Sequence, residues 1–270
     1  MRFLKLVLEY DGSGFHGFQK QTGTGLRTVQ EVLENALKNL TGEEIQVHGA
    51  GRTDAGVHAL GQVVHFATSA SIPASRFPAA LNGCLPPDLV VLRAEEVDPS
   101  FHARYSALAK KYCYVVWNQE KPSALLRNYC FHYPVPLDAG LMSKGAAFFE
   151  GVHDFRSFSA SGSSAKTTTR HLFSFKVQRK RGFVVFTVTA DGFLYKMVRL
   201  MVGTLLEVGR GKLLPEAVRE ILETRRRGLG GPAAPPQGLY LVRVYYPGDY
   251  IDDRDLWEIE SSPYFSLLFS

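Results

Sequence analysis

The hydrophobic period changes in a definite order over the first hundred residues, and that order restricts the folds open to the chain. Arg2–Tyr10 alternates apolar and polar residues, as a strand with one covered face does, and stops at Asp11-Gly12-Ser13-Gly14. After a polar loop, Thr28 and Glu31 have the spacing of a capping box. Val29, Val32, Leu33, Ala36, Leu37 and Leu40 then keep helical spacing up to Thr41-Gly42. Ile45–His48 reads as a strand, Leu60–Thr68 as another, Pro73–Asn82 as a short helix and Leu89–Val97 as a further strand. The order is β-α-β-β-α-β.

The second half repeats that order by element, without sequence identity to the first. Ala109–Asn118 reads as a strand, Asp138 caps a helix, and 171–178 with 183–190 form a hairpin around Arg179-Lys180-Arg181-Gly182. An apolar helix over Phe193–Val208, a helix over Pro215–Thr224 and a strand over Leu239–Tyr246 complete it. The expected fold class is α/β (α+β): two ferredoxin-like βαββαβ lobes, a central antiparallel or mixed sheet and a cleft between the lobes. The expected domains are 1–105, 106–247 and a tail, 248–270. Ser157–Thr169 and the Gly/Pro-rich Gly228–Gly238 read as linkers or mobile loops.

Charge narrows the partner. The whole chain carries +5, but the stretch 249–270 holds six acidic residues and one basic residue, net −5, which leaves residues 1–248 at +10. A body of that sign suits a polyphosphate ligand. The tail also carries Trp257, Tyr264, Phe265 and Phe269, and such apolar content is expected to pack on the body or on a partner subunit. Cys84, Cys113 and Cys130 have neither disulfide nor zinc spacing, and the apolar run at the N-terminus is too short for a signal peptide. A reducing, cytoplasmic setting is expected.

Gly49–Phe66, GAGRTDAGVHALGQVVHF, is the most unusual stretch. Glycines surround Arg52-Thr53-Asp54, and glycine is used where backbone must turn sharply or let something approach. In an extended segment Arg52 and Asp54 point to the same side, and a neighbouring guanidinium favours an ionised carboxylate. A surface turn closed by an Asp–Arg pair is the rival explanation. Elsewhere, Phe101-His102-Ala103-Arg104-Tyr105 with Lys110-Lys111-Tyr112 interleaves rings and cations, as surfaces for unpaired nucleotides do. A solvated basic loop explains it equally well. Arg199 lies in an otherwise apolar helix and requires a partner, for which Asp54 and Asp191 both qualify unless the side chain reaches solvent. Arg179-Lys180-Arg181 reads as a solvated turn and Arg225-Arg226-Arg227 as a helix C-terminal cap. His48, His58 and His65 lie near the knot without metal-ligand spacing and read as structural; no metal site is expected. Phosphate-loop, dinucleotide-binding and nucleophile-elbow motifs are absent from the sequence.

GRTDAGVHALGQVVHF closely resembles the signature of the tRNA pseudouridine synthase A family. The resemblance extends to Tyr10-Asp11-Gly12-Ser13, Gly17-Phe18-Gln19-Lys20-Gln21, Thr28-Val29-Gln30, FHARYSALAKKYCY, DGFLYKMVRLMVG and GLYLVRVYYP, from about residue 3 to 247. It implies a two-lobed homodimer that isomerises uridine to pseudouridine in the tRNA anticodon stem-loop, typically at positions 38 to 40, with neither metal nor organic cofactor. It further implies Asp54 as the catalytic residue and Arg52 as the neighbour that contacts tRNA and helps displace the base. Tyr112 would pack on the target uracil, Arg199 would pair with Asp54 and Leu239 would wall the pocket. Phe101, His102, Arg104, Tyr105, Lys110 and Lys166 would contact tRNA. Phe18 stands where the family often has Trp, and Cys113 where it usually has a basic residue.

Two other functions fit parts of the sequence. A non-catalytic RNA-binding protein needs only the basic and aromatic surfaces. A carboxylate-dependent glycoside or nucleoside hydrolase needs a second catalytic carboxylate, and no obvious one stands by Asp54: Glu43 and Glu44 precede it by about ten residues and read as a turn.

Overall fold

Arg2–Tyr10, the first alternating segment, forms strand β1 in a computed structural model that describes residues 1–21, 23–162 and 165–251. The expected placement of the tail falls on residues 252–270, outside the described residues. The fold is mixed α/β and divides into two units, Met1–Leu108 with Tyr240–Asp249, and Ala109–Leu239.

In the first unit β1 is followed by α1 (Val29–Thr41), β2 (His48–Gly49), β3 (His58–Thr68), α2 (Phe77–Asn82) and β4 (Leu89–Val97). β1 lies between β4 and β3, antiparallel to both, and β2 lies antiparallel on the far side of β3. Leu4, Leu6 and Leu8 of β1 point into the core fully buried, opposite the alternate half-buried positions. Helix α1 starts where Thr28 accepts from Glu31 N and stops at Gly42, whose φ of 75° is left-handed. Its Val29, Leu33, Ala36 and Leu37 are buried.

Two expectations change here. The strand expected over Ile45–His48 is reduced to His48–Gly49. Val47 N donates to Glu34 Oε1 and Val47 O accepts from Gln30 Nε2, so side chains of α1 satisfy the groups that a strand ladder would have used. The last strand, β10 (Leu239–Tyr245), pairs in parallel with the start of β3 through Tyr240 and Leu241, opposite His58 and Ala59. Tyr246 OH donates to Ala103 O at 2.7 Å and Leu108 N to Tyr245 O at 2.8 Å. Residues 240–249 therefore belong to the first unit, whereas the sequence placed them with the second.

The second unit holds β5 (Ala109–Trp117), β6 (Phe131–His132), α3 (Ala139–Ala147), β7 (Gly151–Asp154), β8 (Thr169–Lys180), β9 (Phe183–Ala190), α4 (Met197–Gly209) and α5 (Ala217–Thr224). β9 separates β5 from β8 and is antiparallel to both, β7 flanks β8, and β6 runs parallel to β5. All eight residues of β9 are buried, as in a strand covered on both faces. The β8–β9 hairpin turns through Arg181 and Gly182, with φ of 46° and 85°, the two positive values a tight two-residue turn demands. Arg179 is exposed, as expected of a solvated cluster, but it lies in β8 before the turn and its Nη2 donates to Asn118 Oδ1 and Leu137 O, both at 2.7 Å. Helix α4 begins at Met197, later than expected, because Lys196 has φ of 58°.

The segment expected to be a mobile Gly/Pro loop is pinned along α4. Gly231 N donates to Thr204 Oγ1 at 3.0 Å and Ala234 N to Arg199 O at 2.9 Å. A Cβ on Gly203 would sit 1.8 Å from Pro232 O, so the helix and this backbone touch where only glycine fits.

Candidate active site

Arg52-Thr53-Asp54 lies outside helix and strand, with Arg52 exposed, Thr53 buried and Asp54 half-buried. Thr53 anchors the knot. Its Oγ1 lies 2.8 Å from the Tyr10 hydroxyl at the end of β1, and its carbonyl accepts from Phe18 N at 3.1 Å. Gln62, fully buried on β3, donates to Gly51 O at 2.8 Å. Burial pushes the Tyr10 phenol up to about 12, so it remains a neutral hydrogen-bonding group. Val57 N donates to Asp54 O at 3.1 Å, closing the turn after the aspartate.

The loop after β1 lies directly against this turn. A Cβ on Gly12 would meet Val57 O at 2.1 Å, and one on Gly17, whose φ is 89°, would meet Thr53 O at 2.7 Å. Gly49 is covered by the Phe18 ring, which a Cβ there would strike at 2.5 Å. Gly12 and Gly17 thus bring backbone against backbone beside Asp54, and Gly49 makes room for the Phe18 ring, reasons the sequence did not reveal. Arg52 Nε donates to Gln19 Oε1 at 3.2 Å.

His58, as expected, has a structural role: Nδ1 accepts from Gly12 N at 3.0 Å and the ring stacks on Tyr240 at 4.7 Å. His65 Nδ1 accepts from Ala103 N at 3.2 Å. His65 also joins a group that sequence spacing could not show, because His102 comes from a distant segment. His48 and His102 lie 5.1 Å and 4.6 Å from it, and Tyr105 lies 4.4 Å from His102. Burial, then the neighbouring His102 and His48, hold His65 down at about 4. Among the described residues no group of three His, Cys, Asp or Glu could hold a metal ion.

The FHARY residues separate into two kinds. Phe101 packs on Tyr246 at 5.0 Å with Lys5 over its ring, whereas Tyr105 is 76% exposed and Arg104 is exposed beside it. Glu43 accepts from Thr68 Oγ1 and Ser69 N, and Glu44 pairs with Lys38.

In the second unit Tyr112 is buried on β5 with its ring edge-to-face on Phe193 at 5.0 Å. Arg199 is half-buried and its Nε donates to Ala234 O at 2.6 Å, while Asp191 Oδ1 accepts from His171 N. Leu239 is buried, Lys110 half-buried and Lys166 exposed; Ser163 and Ser164 in the same loop lie outside the described residues. Among the described residues no helix is long and apolar enough to cross a membrane.

The sequence profile of a family described as tRNA pseudouridine synthase matches residues 6–106 and 146–247. The chain is similar to tRNA pseudouridine synthase A of Acetivibrio thermocellus, with 50% identity over 91% of this chain and 100% of that one. It is similar to the Moorella thermoacetica protein of the same name at 50% identity and the same coverage. A solved Cbf5-Nop10-Gar1 complex is similar over 88% of this chain and 57% of that one, at 12% identity and a TM-score of 0.33, too remote to carry an argument.

Proposed function

We infer, for a chain that belongs to the tRNA pseudouridine synthase family, that it isomerises uridine to pseudouridine in the tRNA anticodon stem-loop, typically at positions 38, 39 and 40, with Asp54 as its catalytic residue. The observation that carries this reading is the anchored knot: Thr53 is buried and tied to Tyr10, while its neighbours are an exposed Arg52 and a half-buried Asp54. A non-catalytic RNA-binding protein has no use for a carboxylate held that way.

The reaction breaks the bond from N1 to C1′, turns the uracil and joins C5 to C1′; C5 loses a proton and N1 gains one. No external energy or electrons enter. The Asp54 carboxylate acts as nucleophile at C1′ or at the base, or as the base that starts an elimination. The uridine leaves its stack to reach Asp54, at roughly a few kcal/mol. Contacts from the basic body to phosphate offset that.

Arg52 contacts the RNA and helps displace the base, and Tyr112, Arg199 and Leu239 bind the substrate. Arg104, Tyr105, Lys110 and Lys166 contact tRNA, with Phe101 and His102 in the same segment. The finer fold assignment, two ferredoxin-like lobes, is supported in the first unit by the β4-β1-β3-β2 order, in which each neighbour is antiparallel. We take the enzyme to be a cytoplasmic homodimer that needs no cofactor.

Asp54→Asn tests the assignment. It abolishes pseudouridine formation in anticodon stem-loops while tRNA affinity survives; normal turnover in that variant sinks it. Mapping pseudouridines in tRNA from cells lacking the protein, before and after its restoration, identifies the target positions.

A further inference from the structure

Gln30 lies on the inward face of α1 with only 5% of its surface exposed. A buried carboxamide must satisfy both its donors and its acceptor oxygen. Nε2 donates to Glu34 Oε1 at 2.8 Å and to Val47 O at 3.1 Å. Oε1 accepts from Lys20 N at 2.9 Å and from Gln19 Nε2 at 2.6 Å. The chemistry of these partners dictates the orientation of the amide. A carboxylate and a carbonyl only accept and a backbone N–H only donates, so Oε1 must face Lys20. Gln19 is then oriented as well. Its Nε2 must meet Gln30 Oε1, which turns its own Oε1 toward Arg52 Nε. Glu34 secures the far end, accepting from Val47 N at 3.1 Å and lying 3.6 Å from Lys20 Nζ.

Donor and acceptor polarity therefore runs in one direction, from a carboxylate through two carboxamides to a guanidinium two residues before Asp54. We propose that Gln30 and Gln19 are positioning residues that hold Arg52 in the orientation in which it meets the RNA. An exposed arginine otherwise keeps most of its rotamer freedom and must surrender it on binding. Holding Nε leaves the two terminal amino groups as the fork that a phosphate or a displaced base meets. The proposal rests on the role given above to Arg52, and it accounts physically for the glutamines of the GFQ and TVQ segments.

Steady-state kinetics on tRNA with wild type, Gln19→Leu, Arg52→Ala and the double variant tests it. Gln19→Leu raises KM about tenfold, the scale of losing a hydrogen bond to a charged group. Its kcat stays within about twofold and its thermal midpoint is unchanged, because Gln19 is exposed. In the Arg52→Ala background the same substitution has no further effect, which a merely structural role would not produce. Gln30→Leu removes both the oxygen that orients Gln19 and the donor that Glu34 accepts from; it shares the KM defect and adds a stability loss. An unchanged KM in Gln19→Leu, or its full effect persisting without Arg52, overturns the relay while the enzyme remains a synthase. A wild type that forms no pseudouridine in any tRNA overturns the function and the relay together.

Discussion

The hydroxyl of Tyr10 lies 2.8 Å from Oγ1 of Thr53, and both residues are buried. That contact joins the last residue of β1 to the residue between Arg52 and Asp54, so the backbone that carries the aspartate is tied to the sheet as well as to its own loop.

Tyr10→Phe removes the contact and leaves the Thr53 hydroxyl buried without that partner, at a cost of about 1–2 kcal/mol. The urea midpoint falls accordingly. kcat drops more than KM changes, since Asp54 loses its support while the RNA-facing surface keeps its groups. Unaltered stability and turnover in Tyr10→Phe contradict the anchoring role.

Gly12→Ala and Gly42→Ala separate crowding from conformation. At Gly12 the added methyl meets backbone, Val57 O at 2.1 Å, so the loop and the Asp54 turn must part, at about 1–3 kcal/mol. Gly42 has φ of 75° and open space around it, so alanine there costs about 1 kcal/mol of left-handed strain. Only Gly12→Ala lowers turnover. Equal turnover loss in both variants argues against the close contact as the cause.

His65 makes stability depend on pH. Its folded pKa, about 4, lies below its ordinary value of 6.5, so between those values the unfolded chain binds the proton and the folded protein does not. The contribution is complete above about pH 6.5 and is lost as the pH falls toward 4. His102, lowered by burial and by His48, acts in the same direction. Urea midpoints measured from pH 7 to 4.5 drop less steeply in His65→Asn, which keeps an acceptor near Ala103 N; parallel curves for the two proteins count against this origin.

Tyr105 and Phe101, four residues apart, behave differently. Tyr105→Ala weakens anticodon stem-loop binding by about 1–3 kcal/mol through lost stacking, with folding stability within about 0.5 kcal/mol of wild type. Phe101→Ala lowers stability first, because its ring packs on Tyr246. Arg104→Ala reduces the slope of log affinity against log salt by about 1. Gel-shift titrations at several salt concentrations together with thermal melts distinguish these outcomes, and a Tyr105→Ala protein that binds normally removes it from the interface.

Much of the fold was legible because local pattern encodes it. β1 and β4 have the boundaries expected from alternation, and α1 begins and ends at its capping residues Thr28 and Gly42. Ile45–His48 failed because its alternation was real while its hydrogen-bond partners were side chains of α1, which no periodicity reports. The Gly/Pro segment Gly228–Gly238 failed for a related reason: its backbone finds partners on α4.

The site divides in the same way. By itself the sequence determined the elements, the glycine-flanked Arg52-Thr53-Asp54 and the family to which they belong, because alternation, capping and motif are written in neighbouring residues. Only the tertiary structure decided that Tyr10 holds Thr53, that Gln30 orients Gln19 and Gln19 holds Arg52, and that three distant histidines form one group. Each of these depends on which faces of separate elements meet. A buried polar group takes whatever partner the packing brings within hydrogen-bonding distance, and that partner is not set by spacing along the chain.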